Sequence, residues 1–161
     1  TMQQQQQQDA LASVLSHVSV AQQLVASQVS SWWHEAVFTA VLPSLHSLDL
    51  SRHPLVTDAQ LQRVLTACPQ LKDLNLFGCR QLTGASLAAI AAHCPRVKSL
   101  NVGCIPTFSA DQLSAMCDAL PLADLEISGC TGIREHELVS RFGQYLDLED
   151  YDESGLSSCQ G

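Results

Sequence analysis

Seven cysteines and six histidines are the residues of this chain whose chemistry could go beyond packing. A zinc site needs ligand pairs at short, fixed spacing, such as Cys-x-x-Cys followed by histidines a few residues apart. Cys68, Cys79, Cys94, Cys104, Cys117, Cys130 and Cys159 contain no such pair, and no histidine stands at finger spacing to them. The histidines (His17, His34, His46, His53, His93 and His136) fall at unrelated positions. There is no nucleophile elbow, no P-loop and no glycine-rich dinucleotide turn. These residues predict no metal, no cofactor and no catalytic centre. The cysteines are expected to be reduced, small, buried hydrophobes.

What positions them is a period. Pro43, Pro69, Pro95 and Pro121 lie 26 residues apart, and other columns repeat in phase. Leu45, Leu71 and Val97 form one; Leu48, Leu74 and Leu100 another; Leu50, Leu76 and Val102 a third. Leu61, Leu87 and Leu113, then Val64, Ile90 and Met116, continue the pattern further along each unit. A fourth unit follows one residue early with Leu122, Leu125 and Ile127. Leu48-Asp49-Leu50 and Leu74-Asn75-Leu76 alternate apolar with polar, which predicts short strands with leucines inward. Thr57 with Gln60 and Ser109 with Gln112 match capping boxes, so a helix starts at each. The proline after each helix cannot continue it, and the chain turns into the next strand. One such unit cannot bury its apolar side alone, whereas stacked units can.

The polar strand positions are the candidate partner-binding residues: Asp49, Asp73, Asn75, Asn101, Asp124 and Glu126, with Ser99 among them. They carry four carboxylates and no base, while Lys72 and Lys98 stand beside them. The expected partner is a protein with a basic segment; a merely solvated sheet face is the alternative. A net charge of −8 with only eight Lys and Arg argues against nucleic acid, whose phosphates need clustered cations. No apolar run approaches the length of a membrane span, and no secretory signal or Asn-x-Ser/Thr sequon is present. The expected location is the cytoplasm or nucleus.

The run Cys68-Pro69-Gln70-Leu71-Lys72-Asp73-Leu74-Asn75-Leu76-Phe77-Gly78-Cys79 resembles the cysteine-containing subfamily of leucine-rich repeats. Cys94 to Cys104 reads as the same element with one residue missing before Cys104. His53 and Leu120 stand where cysteines are expected. The resemblance implies an α/β right-handed solenoid, ribonuclease-inhibitor-like, with four units over 43–149. Residues 1–9 read as a disordered glutamine tract, and 150–161 as an acidic and polar tail.

Residues 10–42 differ in texture. Leu11, Val14, Leu15 and Val18 form a helical stripe, followed by Leu24, Val29, Trp32 and Trp33. From Ser19 to Trp33 the sequence resembles the core of an F-box, without its usual Leu-Pro pair and with Gln23 and Gln28 at apolar positions. That resemblance implies a non-catalytic substrate-recognition subunit of an SCF-type ubiquitin ligase, partnered by the adaptor and cullin subunits. Leu11, Val14, Leu15, Val18, Leu24, Val29, Trp32 and Trp33 would then bind the adaptor. The other reading is an interaction scaffold whose N-terminal helices only cap the repeats.

Overall fold

The computed structural model describes residues 42–51 and 53–145. After a 3₁₀ turn at Leu42–Ser44, strands and helices alternate: β1 (Ser47–Asp49), α1 (Asp58–Ala67), β2 (Asp73–Asn75), α2 (Gly84–His93), β3 (Ser99–Asn101), α3 (Ala110–Ala119), β4 (Asp124–Glu126) and α4 (Glu135–Phe142). The strands form one parallel sheet in chain order, β1-β2-β3-β4. Leu48 pairs with Leu74, Leu74 with Leu100, and Leu100 with Leu125. The offsets of 26, 26 and 25 residues are those of the leucine columns, including the early fourth unit.

Three-residue strands are short for a sheet, and the ladder runs past them at both ends. Before the strands, Lys72 N–H donates to His46 O, Lys98 N–H to Lys72 O, and Ala123 N–H to Lys98 O, each at 2.8 Å. Beyond them, Leu50 N–H donates to Asn75 O and Leu76 N–H to Asn101 O, both at 2.8 Å. Each unit therefore satisfies its backbone through its neighbour. An isolated unit would leave those groups to water.

The core is built from the repeating columns. Leu48, Leu74, Leu100 and Leu125 are buried from the strands; Leu61, Leu87, Leu113 and Leu138 are buried from the helices. Another buried column, Leu82, Phe108 and Ile133 with partly buried Val56, sits one residue before each helix cap. These are the positions of a hydrophobic staple, in which the residue before the cap packs toward the fifth residue after it. The capping boxes at Thr57/Gln60 and Ser109/Gln112 are both formed.

The second unit solves its cap differently. Thr83 caps α2, but its partner position holds Ser86, too short to reach back to the Thr83 N–H. Asp58, from the first turn of α1, replaces the missing glutamine. Its carboxylate accepts from Thr83 N–H at 2.9 Å, from the Thr83 hydroxyl at 2.7 Å, and from the Ser86 hydroxyl. Ser86 is the one buried polar residue among those described, and Asp58 is its partner. Burial alone would raise the Asp58 pKa. The hydrogen bonds from Ser86 and Thr83 outweigh it and hold the carboxyl below its ordinary 3.8.

The third unit needs a correction. Cys104 was expected to align with Cys79 across a one-residue gap. Instead it adopts φ +57°, matching Gly78 at +72° and Gly129 at +68°. Its N–H donates to Ser128 O, as Gly78 N–H donates to Gly103 O. Cys104 thus occupies the left-handed turn position, and buried Ile105 takes the place of Cys79 and Cys130. No residue is missing there. The shorter repeat arises later, between Pro121 and β4.

Candidate functional site

Two rows of side chains cross the face of the sheet that the core leaves open. Ser47, Asp73, Ser99 and Asp124 are aligned in register, as are Asp49, Asn75, Asn101 and Glu126. Between the rows the leucines are buried, while every residue of both rows is exposed or half-exposed. Alternation along the strands places all six expected partner-binding residues on this one face.

The rows are not equivalent. In the second, each side chain folds back onto its own chain two residues on. Asp49 Oδ1 accepts from Ser51 N–H at 2.9 Å, Asn75 Oδ1 from Phe77 N–H at 3.1 Å, and Asn101 Oδ1 from Gly103 N–H at 3.0 Å. Glu126 reaches the same goal with a longer arm, its Oε1 accepting from Ser128 N–H at 2.8 Å. These are turn-forming bonds of the Asx type. They fix where each strand ends, and each uses one acceptor of a residue assigned to binding. The clue was present in the sequence: an Asp or Asn closes each of the first three strands just before a turn, and Glu126 closes the fourth.

The first row is differently engaged. The Ser99 hydroxyl donates to Asp124 Oδ2 at 3.0 Å. Asp73 is exposed. Lys72 and Lys98 lie one residue before the row on adjacent strands and are exposed. Phe77, which the sequence did not single out, lies over Gly103; a Cβ there would come within 2.9 Å of Phe77 Cδ2.

The cysteines divide by place in the unit. Cys68 and Cys94 close helices α1 and α2. Cys79 and Cys130 follow the strand-end turns. Each buried thiol of the later unit donates to backbone carbonyls of the earlier one: Cys79 to Leu50 O at 3.4 Å, Cys94 to Cys68 O at 3.4 Å, and Cys130 to Val102 O at 3.2 Å. A cysteine fits there because it is small, apolar and still a weak donor. Burial pushes the thiol of Cys68 up to about 12, and those of Cys79, Cys94 and Cys117 to about 11; Cys130 is raised too. Neutral thiols are poor nucleophiles and poor metal ligands. Cys68, Cys79, Cys94, Cys117 and Cys130 are free thiols.

Among the described residues, no group of three or more His, Cys, Asp and Glu is placed to hold a metal ion, and no helix is long and apolar enough to cross a membrane. The expected adaptor-binding residues Leu11, Val14, Leu15, Val18, Leu24, Val29, Trp32 and Trp33 lie outside the described residues. No family model and no curated protein matches the chain.

Proposed function

We propose that the chain is a leucine-rich-repeat solenoid that binds a protein target on its open sheet face, as the non-catalytic substrate-recognition subunit of an SCF-type ubiquitin ligase. The observation that supports target binding is the sheet itself. Four strands in register hold two ordered rows of polar groups in the open, on a rigid frame. A surface of that kind recognises an extended partner, because neighbouring strands present side chains about 4.8 Å apart. The ligase role rests on the likeness of residues 19–33 to an F-box core. The chain supplies proximity in this role, and the adaptor and cullin subunits bring the conjugating enzyme. Cytoplasm or nucleus is the matching location.

The scaffold reading shares the sheet face and differs only in the N-terminal helices, which would then cap the first unit. Pull-down with purified adaptor separates the two. Binding by the full chain, lost on Leu15→Asp, supports the ligase role. A folded chain that fails to bind adaptor assigns those helices to capping, and leaves the target face untouched.

A further inference from the structure

One column of the repeat changes character in the first unit. Two residues before the helix caps stand Leu55, Gln81, Thr107 and Gly132. In the later units this column faces the unit before. The Thr107 hydroxyl donates to Leu82 O, and a Cβ on Gly132 would meet Phe108 O at 2.5 Å and Pro106 O at 2.6 Å. Leu55 therefore faces past the N-terminal end of the described stack, and it is 75% exposed, the most of any large hydrophobic among the described residues. Val56 beside it is only partly buried, whereas Leu82, Phe108 and Ile133 in its column are buried. This end of the first unit is an apolar seat that nothing among the described residues covers.

The column also says what kind of cover fits. A stacked repeat brings backbone carbonyls to this position, which suit the hydroxyl of Thr107 or the bare Gly132 and not a leucine. Nor does the repeat continue upstream, since Ser19, Gln22 and Glu35 stand 26 residues before Leu45, Leu48 and Leu61. The cover must bring apolar side chains of its own. Leu42 enters the fold fully buried, its 3₁₀ turn packed against α1. The residues just before it include Val29, Trp32, Trp33, Val37, Phe38 and Val41, on a stretch that reaches about 40 Å when extended. We infer that residues 29–41 seat on Leu55 and Val56 and close this end of the repeat stack. The inference goes beyond the proposed function: it gives Val29, Trp32 and Trp33 to the repeats, and leaves Leu11, Val14, Leu15, Val18 and Leu24 to the adaptor.

Trp32 and Trp33 are the only tryptophans of the chain, so tryptophan fluorescence of the full chain reports on this stretch alone. Leu55→Asp should shift the emission to the red and raise its quenching by acrylamide about twofold, because a charge in the seat releases the indoles to water. Leu55→Gln, which installs the side chain that the second unit carries at Gln81, should act in the same direction to a smaller extent. Far-UV circular dichroism of both variants should match the wild type and so exclude misfolding as the cause. Val139→Asp, at an exposed apolar position of the last helix, should leave the tryptophans as they are. Folded Leu55 variants quenched no more than the wild type overturn the inference, and so does an equal rise in Val139→Asp. The readout involves no adaptor, so failure of the ligase role leaves this result standing.

Discussion

Asp58 shows how much one side chain can hold. It accepts three hydrogen bonds from the start of the next helix, two of them from Thr83 and one from buried Ser86. Asp58→Ala strands the Ser86 hydroxyl and the Thr83 N–H together. The expected loss is about 2 kcal/mol, the upper end of helix-cap deletions, read from urea melts. Its folded pKa is depressed, so the stability it contributes is present above about 3.8 and is lost as pH falls through the lower folded value. The buried thiols act at the other end of the scale. Their folded pKa values, about 11 to 12, exceed the ordinary 9.0, so their contribution is intact below about 9 and fades as pH climbs toward 11 to 12. Each thiol contributes at most about 1.4 kcal/mol per pH unit across that window. Urea midpoints of the reduced protein should therefore drop steeply above pH 9, and less steeply in Cys68→Ala.

At the scale of the element, the turns that follow the strands are the sensitive joints. Gly78 has φ +72° and open space around its Cβ position, so Gly78→Ala isolates the backbone cost of a left-handed residue, about 1 kcal/mol. Gly132 poses a different problem. A Cβ there would lie 2.5 Å from Phe108 O and 2.6 Å from Pro106 O, backbone atoms that cannot swing away. Gly132→Ala should cost more than Gly78→Ala, about 2–3 kcal/mol, and thermal or urea unfolding of the two variants side by side would show it. Helix positions and caps were legible in the sequence because Thr57, Ser109 and their glutamines announce themselves locally. The cap of α2 was not, since Asp58 lies 25 residues before Thr83 and only stacking brings them together. The position of Cys104 was hidden for a similar reason. Gly103 beside it imitates the Gly78-Cys79 pair, and only the hydrogen-bond register with Ser128 shows which residue takes the turn.

Across the whole molecule, the sheet face was legible in outline and not in its division of labour. Period-two alternation identifies which residues point outward. It cannot show that Asp49, Asn75, Asn101 and Glu126 each bind their own chain. Charge reversal should therefore be directed at the first row. Asp73→Lys with Asp124→Lys is expected to weaken binding of a charged target about tenfold and to reduce its salt dependence. Stability should change by less than about 1 kcal/mol, since these side chains lie on the surface. Affinity unchanged by the double reversal would move the target elsewhere on the protein. The bridge from Asp58 has one more consequence, for editing the chain by whole units. Cassettes cut at the 26-residue period look interchangeable, yet α2 carries only the Thr83 half of its cap, and the acceptor for the Thr83 N–H belongs to the unit before. Transplanted behind a unit with glycine or alanine where α1 has Asp58, as α2 and α3 do, it would start with an unanswered N–H. Duplicating the second unit should thus be poorly tolerated, whereas a copy of the third, which carries its own capping box, can be inserted as a self-sufficient piece.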